Sequence, residues 1–436
     1  MKAYYFLFAA CLWVIISFFI FLQEPALGDE FTVKPSLALK EEYNDNIFFD
    51  DHNKKDDFIL TVSPELKVSN RTERSALMVS GRLDGIAYSD NTDLNAVDHD
   101  YNGRLGYDVT ENTGFTATAG YKKDSRPDRD INVGGTGEST GLVLSSDTRI
   151  RRSASVSGTH MLNEMTGVNV GCDFSEDDFE DIRDNDIKSY RFNAGMTRRL
   201  GFFKKPTVAR LNTGYATYDY DDSELNTQSV LISGLPAAGL HFFQNTGIDS
   251  YFLTIGAMRE ISEIFSILVD LGGRYTHSEF ENKTVYDPWI LPLSNVSEKN
   301  THNSEGFVAN ATLSYKGILT DCDVSLSHDL MESSGRSGPT ERTSIRFNIR
   351  KQLTYKLRAN LQAGYYYNKS DAGEFGSGGV DEQTLSISPG ITFAITKDVL
   401  IDASYTYTKI KDKEDHTDRK RNLFFVRVKG NFSLFE

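Results

Sequence analysis

The stretch TERTSIRFNIRKQLTYKLRANLQAGYYYN, residues 340–368, decides the fold. Phe347 and Ile349 alternate with Arg346, Asn348 and Arg350, a period of two rather than 3.6. In a strand such alternating sets point to opposite faces, so one face is apolar and the other charged. A short break, Leu353 to Leu357, separates this segment from a second one at 357–368. The pair reads as a hairpin with an oily side and a wet side.

Working outward, the same period recurs along the chain. Tyr405 and Tyr407 alternate with Ser404 and Thr406, and Val426 and Val428 with Arg427 and Lys429. Eighteen such segments are predicted: 31–43, 57–69, 74–88, 100–110, 113–123, 148–162, 166–176, 189–200, 207–218, 249–260, 264–280, 304–316, 321–331, 340–353, 357–368, 382–395, 399–409 and 422–435. Most approach the length that crosses a membrane as tilted strand. Connections after even-numbered segments are short, as in Asn70-Arg71-Thr72-Glu73, Glu111-Asn112 and Thr396-Lys397-Asp398. Connections after odd-numbered segments are mostly long and polar: 44–56, 89–99, 124–147, 177–188, 219–248, 281–303, 369–381 and 410–421. The shortest of that set is around Ser333 to Pro339. A soluble sandwich or propeller has no reason to sort its loops this way, whereas outer-membrane barrels have tight periplasmic turns and long outer loops. The expectation is an all-β chain: one transmembrane antiparallel barrel of 18 strands with both termini periplasmic. Tyr43, Tyr88, Tyr101, Tyr121, Tyr190, Tyr218, Tyr315 and Tyr367 lie where segments end and are expected in the interfacial girdles.

The composition agrees. After Leu22 no run approaches the ~20 apolar residues of a spanning helix, and mean hydropathy is −0.40. A helical membrane protein is excluded; a barrel is not, because only every second residue faces lipid. Lys2, the apolar run Ala3 to Leu22 and Ala26-Leu27-Gly28 read as an export signal over 1–28, with the barrel over 29–436. An uncleaved anchor is the other reading of that long run, and Cys11 is read as part of the signal core. Cys172 and Cys322 lie within alternating segments, outside any metal-type spacing, and are expected to stay unbridged.

Eight histidines are the candidates for chemistry. His277-Ser278 and Ser327-His328 are neighbours in sequence, so in a strand they face opposite ways and make poor nucleophile–base pairs. The acidic run Ser175 to Asp186 and the run Asp219 to Asp222 lack the spacing of a calcium loop, and Gly134 to Gly137 opens no helix that would hold phosphate. No catalysis, cofactor, metal or nucleic-acid partner is expected. The charged face is more informative. With each apolar set assigned to lipid, the lumen receives Lys40, Lys67, Arg82, Arg104, Lys122, Arg151, Arg191, Arg199, Arg210, Arg274, Arg346, Arg350, Arg358, Arg427 and Lys429. The anions assigned there are Glu42, Glu65, Asp84, Asp108, Asp173, Asp270, Asp323, Asp329 and Asp402. The chain is −15 overall, yet this interior is net positive, and such a lumen concentrates anions. Arg346, Arg350 and Arg358 have no lumenal carboxylate on strands 14–16 and are expected to be the least neutralised. The alternative is that interior charges pair and only stiffen the barrel.

Three stretches carry a resemblance. They are Tyr43-Asn44-Asp45-Asn46-Ile47-Phe48 with Ser63-Pro64 in the next strand, Tyr88 to Asn95, and Tyr121 to Pro127. Together they resemble the putative beta-barrel porin type 2 family of Gram-negative outer membranes, over about the first third of the chain. That resemblance implies association with exopolysaccharide export. Its partners would be a periplasmic polysaccharide-export protein and a polysaccharide, beside outer-membrane lipid, lipopolysaccharide and the barrel-insertion machinery. One departure is the last strand, where Phe435 falls off the face of Val426, Val428, Phe432 and Leu434. The expected function is a conduit for an anionic exopolysaccharide. A general or anion-selective diffusion porin, a barrel enzyme, and a structural or adhesive surface barrel are the other readings. A long loop, 219–248, is apolar enough in Ile232 to Phe243 to be the candidate plug.

Overall fold

The computed structural model describes residues 30–126, 148–180, 186–201, 205–232, 235–288, 296–333, 338–371, 374, 379–414 and 416–432. Residues 1–28, expected to be an export signal, the Gly134–Gly137 run, residues 181–185 and the final residues 433–436 lie outside them. Eighteen strands follow in order: β1 (Glu30–Asn44), β2 (Asp57–Arg71), β3 (Ser75–Tyr88), β4 (Ala96–Thr110), β5 (Thr113–Asp124), β6 (Arg149–Asn163), β7 (Thr166–Phe179), β8 (Ile187–Arg199), β9 (Thr207–Ile232), β10 (Leu235–Glu260), β11 (Phe265–Pro288), β12 (Val296–Lys316), β13 (Thr320–Met331), β14 (Thr340–Gln352), β15 (Leu357–Ser370), β16 (Val380–Ala394), β17 (Val399–Asp412) and β18 (Thr417–Asn431). Each pairs antiparallel with its sequence neighbour, and β18 pairs β1 from Asn44↔Leu423 to Ser36↔Asn431. That last pairing closes the sheet, so no strand edge runs the length of the barrel.

Because paired residues share a face, the register carries one alternation around the whole wall. Leu39↔Val428, Ile255↔Leu271 and Ile349↔Leu361 face outward, where Ile255 is 68% and Val170 60% exposed. Such a band suits hydrocarbon and would be unsustainable in water. Outward aromatics frame it at both ends. At the loop end Tyr43 meets Phe58 at 5.0 Å between ring centroids, Phe174 meets Tyr190 at 5.2 Å and Tyr215 meets Tyr251 at 5.0 Å. At the turn end Tyr107 meets Phe115 at 5.6 Å and Phe265 meets Tyr315 at 4.9 Å. Tyr88 and Tyr218 do not join these girdles: both face inward and are buried, at 6% and 3% exposure. A strand-end position fixes height but not face, and parity puts these two on the inner wall.

The largest departure from the sequence reading is at β9 to β12. These strands have 26, 26, 24 and 21 residues, against 12 to 15 in the others. Segments 219–248 and 281–303, expected as loops, are mostly ladder: β9 pairs β10 up to Ile232↔Leu235, and β11 pairs β12 up to Thr284↔Val296. The candidate plug is therefore a rising hairpin in the wall. Above the lipid band nothing rewards an apolar outward face. Glu279 and Lys299 pair there at 2.7 Å instead, and a two-sided polar strand looks like a loop in sequence.

Two other elements turn inward. The β1–β2 loop lines the inner wall: Ile47, 2% exposed, packs on inward Ile59, Ile86 and Tyr88, while Phe49, 1% exposed, packs on Ile410. The second is the tip of β13 and β14. Pairing of β12 with β13 stops at Ala309↔His328, whereas β13 and β14 stay paired to Met331↔Thr340. Freed from β12, this tip enters the barrel. Leu330 is buried in a cluster with Ile187, Ala216, Tyr218, Tyr220 and Ile248, inner residues of β8 to β10.

Candidate functional site

The inner wall is where the chain can do chemistry, and its side chains follow from the register. Across β6 to β9 one inward row reads Ser155↔Asp173, Asp173↔Arg191 and Arg191↔Ala216. A second, on β13 to β15, reads Ser325↔Arg346 and Arg346↔Gly364, with Asp321↔Arg350 and Gln352↔Arg358 nearer the turn end. Parity places all eight candidate cations inward. Their electrostatic states differ.

Several are neutralised. Arg210 Nε lies 3.1 Å from Asp270, Arg427 Nη2 donates to Asp402 at 2.8 Å, and Lys429 donates to Glu65 at 3.0 Å. Arg191 donates to the Tyr218 hydroxyl and faces Glu332 and Asp329. Others are not: among the described residues Arg199, Arg346 and Arg350 have no ion pair, and Arg358 Nε donates only to Gln352 Oε1 at 3.2 Å. Arg104, mid-strand on β4, is also without an ion pair there.

The sequence reading missed inward carboxylates at Asp98, Asp100, Asp124, Asp177, Asp321, Glu382 and Asp412. Most stand at the loop end of their strands, where the apolar set that fixes the face has run out. The available signal was spacing by two: Asp124 follows Lys122 on the same face and bonds it at 2.7 Å. Arg149, 2% exposed as a side chain, bridges Asp124 at 3.1 Å and Asp177 at 3.6 Å, and Arg151 Nε adds 2.5 Å to Asp177. Thus the loop-end half of the wall is laced with ion pairs, and unpaired cations concentrate from mid-barrel to the turn end.

The motif stretches at the loop mouth are now explained mechanically. Asn44 Oδ1 accepts from the Asn46 N–H at 3.1 Å, and Asn46 Nδ2 donates to the Asp50 and Lys420 carbonyls at 2.7 and 3.0 Å. Asp45 accepts from the Asn422 N–H at 2.6 Å and its amide at 2.7 Å, tying the loop across the closure of β1 and β18. Phe49 sits at a left-handed φ of 53°, a strained state for a bulky residue, with the Arg421 guanidinium 4.2 Å from its ring centroid. Asp57, at the mouth, accepts backbone N–H groups of Ser89, Asp90 and Asn91 and the Asn91 amide, all within 3.1 Å. Burial alone would raise its pKa; these donors outweigh burial and hold the carboxyl below its usual value. At Asp98 burial prevails over the Ser125 hydrogen bonds and pushes the carboxyl up.

The histidine pairs are placed as follows. His328 Nδ1 lies 2.8 Å from Thr343 Oγ1, whereas Ser327 bonds Ser344 on the inner face. His277 Nδ1 meets Asn303 Oδ1 at 2.6 Å. Asp50, Asp51 and His52 bring three metal-type ligand atoms within 4.8 Å. Asp50 Oδ1 is already engaged by the N–H groups of His52 and Asn53, which accounts for the cluster as a turn.

No curated protein sequence matches the chain. Among solved structures it is similar to the ferric-catecholate import receptor Fiu of E. coli K12, at 9% identity and TM-score 0.48, covering 93% of this chain and 82% of that one. It is also similar to the siderophore receptor PirA of Acinetobacter baumannii, at 9% identity and TM-score 0.42 over 94% and 81% of the two chains. A third likeness is the ferric enterobactin receptor PfeA of Pseudomonas aeruginosa, at 9% identity and TM-score 0.41 over 92% and 80%. The barrel assignment rests on the closed ladder itself and not on these likenesses. The family model described as putative beta-barrel porin 2 matches residues 27–186, which hold β1 to β7 and all three motif-bearing stretches. Over that stretch the chain is similar to the putative beta-barrel porin 2 family, and its closed 18-strand ladder makes the whole an outer-membrane barrel of porin-like build.

Proposed function

We propose that this barrel is a passive conduit for an anionic exopolysaccharide, with its turn end and termini in the periplasm and its loop end outside. The observation that carries "anionic" is the unpaired set Arg346, Arg350 and Arg358 on adjacent strands, facing a water-accessible lumen while cations nearer the loop end are paired. Unpaired cations in a low-dielectric wall raise the local concentration of anions. An 18-strand barrel is wide enough for an aqueous channel. "Polysaccharide" rests on the family resemblance, and the amide and hydroxyl lining at Asn348, Gln362 and Ser388 suits a hydrated sugar chain. Export behind a cleaved signal over residues 1–28 belongs to the same proposal.

The test is ion selectivity in planar bilayers. The open wild-type pore is expected to prefer anions, and replacing Arg346, Arg350 and Arg358 together by Gln shifts the reversal potential toward cations. The shift shrinks in 1 M salt, where screening shortens to about 3 Å. A wild-type pore that prefers cations refutes the proposal. The inward-folded elements at the loop mouth favour a second reading, a diffusion pore for small anions. Brief interruptions of the current through an already open pore by long alginate chains but not by alginate disaccharide would support the polymer; equal passage of the disaccharide with no polymer effect would support the diffusion pore.

A further inference from the structure

The tip of β13 and β14 makes contacts that the wall alone cannot explain. Ser175 Oγ on β7 donates to Glu332 Oε2 at 3.3 Å, although five strands separate β7 from β13 in the ladder. At about 4.8 Å per strand that is roughly 29 Å of wall, so the contact crosses the lumen as a chord. The Ser333 N–H donates to the Tyr220 hydroxyl at 3.4 Å, and Ser333, Thr340 and Tyr220 are all fully buried. Glu341 would face outward if β13 had stayed on β12. It instead accepts from Arg274 Nη2 at 2.5 Å, on the inner face of β11. Asp329 lies 3.6 Å from Arg274 Nη1, which is buried and has no hydrogen-bond partner.

We infer that Arg191 and Arg274 form an anion-binding site inside the lumen, occupied in this state by the carboxylates of the β13–β14 tip, which blocks the passage as an internal stand-in for the transported anion. This deepens the conduit proposal and rests on it. Arg274 is 4% exposed, and a buried guanidinium stripped of its anions is strongly unfavourable. The tip therefore cannot leave by simple thermal opening without a replacement. Carboxylates along an entering chain supply one: Arg274 exchanges Glu341 and Asp329 for them, and Arg191 gains an anion in place of the facing Glu332 and Asp329. Each guanidinium thus stays compensated while the tip swings clear. A neutral polymer has no such exchange to offer.

The experiment is conductance across planar bilayers of the full chain, with alginate or dextran oligomers added on the turn side. Glu332→Gln with Glu341→Gln preserves shape and removes the internal anions; time-averaged conductance is expected to rise at least threefold without added polymer. Wild type is expected to rise comparably with alginate and not with dextran. A second variant guards against misfolding: Ser175→Cys with Glu332→Cys, on a Cys172→Ser and Cys322→Ser background, joined by a short reducible cross-linker. It is expected to stay closed with alginate until reduced, and recovery on reduction certifies an intact barrel. Unchanged conductance in the double Gln variant and on reduction of the cross-link overturns the block. An equal response of wild type to dextran and alginate overturns the anion site. The conduit proposal is judged separately, by the reversal potential of the opened double Gln variant.

Discussion

Consecutive residues Leu361 and Gln362 on β15 give the sharpest test of the wall's two faces. Leu361 pairs with Ile349 and Pro389 on the outward side, and Gln362 pairs with Asn348 and Ser388 on the inward side. Both lie between Leu357 at the turn end and Tyr365 at the loop-side girdle, hence near the middle of the lipid band. Putting the same Lys at each position asks the fold to distinguish neighbours along the chain. Leu361→Lys places an ammonium against hydrocarbon, which costs about 2–4 kcal/mol near the midplane. At 1.4 kcal/mol per tenfold, that lowers the folding equilibrium about 30- to 700-fold. Gln362→Lys keeps the charge in water, where repulsion from Arg346 and Arg350 adds no more than about 1 kcal/mol and fades with salt. The assay is reversible folding into liposomes in urea, followed by tryptophan fluorescence and by migration in unheated detergent gels. Equal losses at the two positions, or the greater loss at Gln362, would show that the assigned faces are wrong, and with them every pore-lining residue named above.

Other expectations can be checked alongside. The Asp57 carboxyl is held below its unfolded value, so its contribution is complete above the usual carboxylate range and is lost as pH falls through the folded value. Asp57→Asn should lower stability by about 1 kcal/mol at pH 7 and flatten the acid limb of a pH–stability curve; an unaltered acid limb would dismiss the Asp57 cap. Cys172 on β7 and Cys322 on β13 are not joined by a disulfide, and five strands lie between them. Oxidised protein should migrate as reduced protein does, and a reduction-sensitive band in the monomer would contradict the strand order. Protease on intact cells should spare the turn Thr72–Arg74, which is closed by the Thr72 N–H donating to the Ser75 carbonyl at 2.8 Å. Cleavage there would reverse the proposed orientation.

How much of this was legible in sequence depends on what each feature answers to. The strand count was legible because lipid enforces an apolar residue at every second position, and Phe347 and Ile349 announce it locally. The premise behind the unpaired state of Arg346 and Arg350 was wrong, since Asp321 on β13 stands opposite Arg350 and Glu382 on β16 faces inward, although among the described residues neither forms an ion pair with them. Above the lipid that enforcement ends. The Glu279–Lys299 pair stabilises ladder without leaving a period, which is why β11 and β12 run past their expected ends. The tip of β13 was hidden for a different reason. Its connection was the shortest on the loop side, and the candidate plug was placed in the long segment 219–248 instead. Nothing local in Glu332 or Glu341 states that their partners are on β7 and β11, because the contact depends on a chord across a closed wall. Likewise Asn46 and Phe49 carried a recognisable motif, but its work, seating a loop on β18, is visible only once β1 and β18 meet.

The distribution of charge along the barrel axis bears on direction. An anion arriving at the turn end meets Arg199, Arg350 and Arg358 without carboxylates attached, so entry there is favoured. Deeper in, the Arg149–Asp124–Asp177 lattice offers it little, because each cation already has an anion and exchange gains no net charge pairing. At the mouth Asp57 and Asp98 stand inward, and the chain as a whole is −15, so the rim repels what the interior attracts. Such a profile sets where an anion lingers and makes conductance differ with the sign of the voltage. It cannot by itself move a polymer outward, since a fixed charge pattern at equilibrium does no net work. Under the conduit proposal the direction of transport must then come from the polymer gradient or from a pushing partner at the turn end, and the barrel's own contribution would be selection and closure.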